Sequence, residues 1–261
     1  MIFVLYPEGS RGRFIAELCY ILTRNKRSTH LNDIEGYPEH SNFGEENLNK
    51  PNINITHCNL VIEKYKDAKM GVPIVDLHFT TIDTMVNIVE QGHRVIRIIP
   101  VIKNMTRYVD EWFYKKFIIS KKPSSQKTML VERFASCLSA QDDDKLQKIS
   151  SIPLYQWSIN DLNLLRLGCN VFLANKCEDS ASYKLRHASL TANLDYLELR
   201  YCDLNRHDLI QESLTSFLNV RTNDYFSERF NRYFELHEKI PPFETYIKTY
   251  IKNEGNINAS S

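Results

Sequence analysis

The chain has 261 residues, 43% of them hydrophobic and 25% charged, with a formal net charge of +1. That length is room for one large or two small soluble domains. The near-neutral balance excludes a global attraction to nucleic acid or to an anionic membrane, so any anion site must be local.

Six cysteines, Cys19, Cys58, Cys137, Cys169, Cys177 and Cys202, lie far apart inside mostly apolar patterns, with no Cys-x-x-Cys pair. This predicts buried thiols in a reducing cytoplasm rather than a disulfide framework or a zinc site. No apolar run approaches the roughly 18 residues of a membrane span, and no charged-then-apolar leader is present. A cytoplasmic protein without a membrane segment is expected.

The first element is a strand over Ile2 to Tyr6, apolar, β-branched and aromatic throughout, as a parallel strand buried on both faces is. A polar loop follows, Glu8-Gly9-Ser10-Arg11-Gly12-Arg13, and then a helix with Phe14, Ile15, Leu18, Cys19, Ile21 and Leu22 at helical spacing. A helix that opens out of a glycine loop directs unpaired N–H groups and the positive end of its dipole to one point. Gly9 and Gly12 permit close approach of a phosphate, and Arg11 and Arg13 could add charge-assisted hydrogen bonds. The spacing does not meet G-x-x-x-x-G-K-[ST], since Gly9 and Gly12 are too close and no Lys-Ser/Thr follows. A plain strand-to-helix turn with solvated arginines is the alternative.

Residues 25 to 51 read as a long polar connection, with His30, His40 and Asn42 as loop candidates for ligand contact or as ordinary surface. Asn52 to Asn59 reads as a weak strand and Leu60 to Met70 as a short helix. A strand over Ile74 to Phe79, a helix over Thr81 to Gln91 closed by Gly92, and a strand within Arg94 to Val101 form a β-α-β unit. Its strands should lie parallel beside the first. His78 then falls at a strand's C-terminal end, on the sheet edge that carries the glycine loop, where it could take a proton from an acceptor or simply cap the next helix.

Helices are expected over Lys103 to Ile119, Thr128 to Leu138, Asp142 to Ile149, Asn160 to Asn175 and Ser180 to Ala192. Asp142-Asp143-Asp144 reads as an acidic helix start rather than a metal site. A last strand over Tyr196 to Tyr201 leads to helices over His207 to Leu218, Asp224 to His237 and, after Pro241-Pro242, Phe243 to Ile251. The elements describe one α/β domain over residues 1 to 252, with a helical insertion at about 121 to 192, a helical C-terminal part, and a polar tail over 253 to 261.

This order of elements resembles the sulfotransferase family. Leu5 to Phe14 is similar to that family's first strand and phosphosulfate loop, and Leu77-His78 to the strand that ends in the catalytic histidine. Ile98-Ile99-Pro100-Val101-Ile102-Lys103-Asn104-Met105-Thr106 is similar to the segment that holds the donor's 3′-phosphate. Tyr201-Cys202-Asp203-Leu204 and Phe217-Leu218-Asn219 are similar to its later motifs.

The resemblance implies a three-layer α/β/α, P-loop-like fold around a mainly parallel sheet. It also implies transfer of a sulfuryl group from 3′-phosphoadenosine-5′-phosphosulfate to a hydroxyl or amine of a small-molecule or glycan acceptor, without a metal. Gly9, Ser10, Arg11, Gly12, Arg13 and Phe14 would hold the 5′-phosphosulfate, with Arg11 or Arg13 offsetting leaving-group charge. His78 would be the base, and Lys103, Thr106 and Arg107 would hold the 3′-phosphate. The chain departs from the pattern in lacking the loop lysine and in placing Arg97 early in its strand. A nucleoside monophosphate kinase, or a non-catalytic binding or structural protein on the same scaffold, is the alternative.

Overall fold

A computed structural model describes residues 1–6, 11–26, 33–34, 37–38, 46–47, 55–66, 73–78, 82–99, 145, 152, 156–176 and 195–237. The chain divides into two compact units, Met1–Val101 with Ala181–Lys239, and Ile102–Ser180 with Ile240–Ser261.

The first unit is built on strand β1 (Ile2–Tyr6), all five of whose residues are buried. Strands β4 (Glu46–Asn47), β5 (Ile74–His78), β6 (Arg94–Ile99) and β7 (Tyr196–Arg200) complete a sheet in the order β4-β5-β1-β6-β7, with every neighbouring pair parallel. β1 thus has a partner on each side, Ile2 pairing with Ile74 and with Arg94. A separate two-stranded ribbon joins β2 (Asp33–Ile34) to β3 (Tyr37–Pro38). These two-residue pairings lie inside the stretch expected to be an unbroken connection, and they are too short to carry a periodic signal.

Alternation along β1 sends its side chains to two different environments. Phe3 and Leu5, with Val75 and Val95, meet Cys58 and Val61 of helix α2 (Ile55–Tyr65) and Met85 and Ile88 of helix α3 (Ile82–Glu90). The opposite parity brings Tyr6 against Gly12, the first residue of helix α1 (Gly12–Arg24). Helix α1 therefore packs on one face, and α2 and α3 on the other.

The α2 boundary corrects the weak strand expected over Asn52 to Asn59. Ile53 and Ile55 mimic a strand's composition, but Cys58, Val61, Ile62 and Tyr65 recur at helical spacing, and this apolar stripe packs into the core. Tertiary burial overrides local β propensity there. Helix α3 ends as Gly92 requires: at φ 79° it turns the chain while its N–H bonds Val89 O at 2.8 Å and the His93 N–H bonds Ile88 O at 3.2 Å.

Beyond β7, a 3₁₀ turn (Tyr201–Asp203) leads into α5 (His207–Leu218) and α6 (Asp224–His237). Helix α6 runs antiparallel to α1: Asn223 Nδ2 donates to Ile21 O at 3.1 Å, Arg229 meets Glu17, and Tyr233 stacks on Phe14. The other end of α5 is tied to the sheet by Arg94, whose Nη1 donates to Leu218 O at 2.7 Å.

In the second unit the described helix is α4 (Ile159–Lys176). Ser158 and Asp161 cap its start reciprocally. The Ser158 N–H donates to Asp161 Oδ2 at 2.8 Å, and the Asp161 N–H donates to Ser158 Oγ at 3.3 Å. Buried Trp157 just ahead of it donates through Nε1 to Ile152 O at 3.0 Å. The expected helices over 103–119, 128–138, 180–192 and 243–251 lie outside the described residues. No helix among the described residues is long and apolar enough to cross a membrane.

Candidate functional site

The candidate site lies where β1 gives way to α1. Parallel register sets Tyr6, the last residue of β1, level with His78, the last residue of β5. Both strands end on one edge, neighbouring strands being about 4.8 Å apart. His78 is accordingly at a strand's C-terminal end, on the edge where the α1 loop begins.

At the far side of that loop Arg11 adopts the left-handed conformation, φ 64° and ψ 21°, before α1 begins at Gly12. A non-glycine residue in this region is held there by its surroundings. Here they are aromatic: the Arg11 guanidinium carbon lies 4.8 Å from the ring centre of Phe234, 5.0 Å from Tyr201 and 5.9 Å from Tyr233. Tyr201 comes from the turn after β7 and the other two from α6, so three segments of the chain meet on one cation.

Gly12 is glycine for a steric reason. A methyl group on it would come within 1.8 Å of the Tyr6 ring, so the strand's last side chain lies directly on the helix's first backbone atom. Arg13 follows, half-buried. Phe14 turns away from the loop into α6, stacked on Tyr233 at 3.8 Å and 12° and edge-on to Phe234 at 5.6 Å. Of the residues expected in the phosphosulfate loop, Gly9 and Ser10 lie outside the described residues. So do Lys103, Thr106 and Arg107.

Arg97 is buried within β6, opposite Leu5 on one side and Glu198 on the other. Its Nη1 is 3.6 Å from Glu198 Oε2, which makes it part of a cross-strand ion pair.

Sequence reasoning missed a buried ion pair one turn below Arg13. Arg229 Nε donates to Glu17 Oε1 at 2.6 Å, with both side chains almost fully buried. The guanidinium carbon of Arg229 also lies 5.7 Å from the Tyr233 ring centre, the ring that faces Arg11. A signal was present: Glu17 interrupts the stripe Phe14, Leu18, Ile21, and Arg229 the stripe Phe226, Phe230, Tyr233. A charge inside an apolar stripe requires a partner across the interface.

Burial pushes the thiol of Cys19 far up and that of Cys58 up to about 11, so both are protonated and unsuited to nucleophilic work. Among the described residues no three His, Cys, Asp or Glu side chains gather where they could hold a metal ion. Arg11 and Arg13 bring two cations to the start of α1, the positive end of its dipole. Neither a family model nor a curated protein nor a solved structure matches the chain.

Proposed function

We propose that the chain is a divergent member of the three-layer, P-loop-like α/β/α class and acts as a sulfotransferase-like enzyme. The observation that carries this reading is the level placement of Tyr6 and His78 on adjacent parallel strands, at the edge where β1 passes into α1. Numbered by their order in the chain, the five strands of the sheet lie second, third, first, fourth, fifth. The first strand is central and its loop opens a helix, an arrangement suited to binding a phosphorylated nucleotide.

In this reading Gly9 to Arg13 hold the 5′-phosphosulfate of 3′-phosphoadenosine-5′-phosphosulfate. His78 takes the proton of the acceptor hydroxyl or amine as that atom bonds to sulfur. The bond from sulfur to the 5′-phosphate oxygen breaks, and adenosine 3′,5′-bisphosphate leaves with its new charge opposed by Arg11 or Arg13. A guanidinium can stack on rings through its faces while its N–H edge holds an anion, so lying among Phe234, Tyr201 and Tyr233 is compatible with that role for Arg11.

The same box favours a second reading, a non-catalytic binding protein on this scaffold in which Arg11 serves packing. Calorimetric titration of the wild-type chain and of His78→Ala with adenosine 3′,5′-bisphosphate, ATP and ADP separates the two. The enzyme reading expects preference for the bisphosphate, affinity in His78→Ala within about twofold of wild type, and turnover roughly 10²–10⁴-fold lower. Preference for ATP would point to a kinase. Binding of none of the three would overturn the nucleotide site.

A further inference from the structure

A cluster on the α5–α6 side of the first unit carries chemistry of its own. His207 opens α5, and Ser227 is the fourth residue of α6. His207 Nδ1 lies 2.9 Å from Asp208 Oδ1, and His207 Nε2 lies 2.9 Å from Ser227 Oγ. An ionised carboxylate can only accept, so the proton of the neutral ring belongs on Nδ1. Nε2 is then the acceptor, and the Ser227 hydroxyl donates to it. The two contacts select the tautomer in which a histidine acts as base toward a serine.

Packing holds the ring in that orientation. The imidazole meets Phe230 edge-on at 5.0 Å and 88°, and Phe226 at 5.6 Å and 69°. Rotating it would break two aromatic contacts as well as two hydrogen bonds. The side chain of His207 is 27% exposed and that of Asp208 fully exposed, so the cluster opens to solvent. Ser227 stands in the first turn of α6, whose start is capped by Asn223, the Phe226 N–H donating to Asn223 Oδ1 at 3.1 Å. Phe234, which touches Arg11, comes two turns further along α6, about 10 Å at 1.5 Å per residue. The polar groups of the cluster are thus set apart from Arg11, although Phe230 links the two through its contacts with Phe14 and Phe234.

We propose that Ser227, His207 and Asp208 form an acyl-transfer site that accepts small carboxylic esters from solvent. Ser227 Oγ bonds to the ester carbonyl carbon as its proton passes to His207 Nε2. The carbon–oxygen bond to the leaving group breaks, and Nε2 returns the proton to the departing alkoxide. Water then attacks the acyl-serine by the same path, releasing the acid and restoring the hydroxyl. Ser227 and His207 are catalytic here. Asp208 is a positioning residue, because a carboxylate in full contact with solvent orients the ring more than it charges it.

Incubating the full chain with a biotinylated fluorophosphonate, followed by peptide mapping, tests this without relying on any variant to fold. One adduct is expected, on Ser227. Ser227→Ala should remove it while lowering the melting temperature by only a few degrees and leaving nucleotide titration unchanged, and His207→Gln should slow labelling roughly 10²–10⁴-fold. Asp208→Asn should slow it about two- to fivefold, with Asp208→Glu restoring most of the rate. The same order should hold for hydrolysis of p-nitrophenyl acetate. An unlabelled wild-type chain, or labelling at the same rate in Ser227→Ala, would overturn the site.

Discussion

The two faces of the central sheet are held by different physics. Under α2 and α3 the contacts are apolar: Phe3, Leu5, Val75 and Val95 against Cys58, Val61, Met85 and Ile88. Under α1 and α6 the interface also contains the Glu17–Arg229 pair, and at its upper end an arginine among aromatic rings. An apolar interface tolerates shape changes in small increments, whereas a buried ion pair fails when one partner is lost. The chain has placed its exacting contacts on the helix that opens at the candidate site.

The largest effect should come from the ion pair. Glu17→Ala leaves the Arg229 charge buried and should lower stability by about 3–5 kcal/mol, measured by urea denaturation. Replacing both partners, Glu17→Leu with Arg229→Met, should recover most of that loss. On the apolar face Ile88→Val should cost only about 0.5–1.5 kcal/mol, with no partner change able to restore it. Equal losses for the single and double replacements at 17 and 229 would erase the contrast.

Next in size is the contact between β1 and α1. Gly12→Ala forces the Tyr6 ring aside and should cost about 1–3 kcal/mol; in a Tyr6→Ala background the same change should cost almost nothing. A full penalty in that background would locate the strain elsewhere.

The smallest effect tests the apolar face for hidden titration. His93 lies 5.9 Å from the Phe3 ring. Burial, and then the Met1 amino group 3.4 Å from its Nδ1, hold its pKa below the ordinary 6.5. The unfolded chain therefore binds this proton more readily than the folded one. Stability should fall as pH drops through about 6.5 and level off below the folded-state pKa. His93→Gln should flatten that part of a melting-temperature profile; an unchanged slope would assign it to other groups.

Much of the fold was legible because its signals are local. β1, β5 and β6 announce themselves by their β-branched residues, β7 by the alternation Tyr-Leu-Glu-Leu-Arg, and α5 and α6 by spacing that fixes both ends. The α2 start was hidden because Ile53 and Ile55 suit either structure. The parallel placement of β5 and β6 beside β1 could be read, but the full five-strand order could not, since pairing between β4 and β5 depends on two residues in a polar stretch. At the site, Gly12 was visible as a glycine, but its reason, the Tyr6 ring, is a tertiary contact. Arg11 was legible as a cation and not as the centre of a box whose walls come from Tyr201, Tyr233 and Phe234. Its neighbours are set by the docking of α6, which no local pattern encodes.

The central position of β1 has a consequence for synthesis. Its run Ile2-Phe3-Val4-Leu5-Tyr6 is apolar, uncharged and free of glycine and proline, the composition of a segment that pairs readily with copies of itself. One neighbour becomes available only after residue 78 has been made and the other only after residue 99. At about 5–20 residues per second, that leaves the strand without its sheet for several seconds. Helix α1, made immediately after it and seated on Tyr6 through Gly12, is the first cover it can acquire, so the tight strand-to-helix junction also shields the nascent chain.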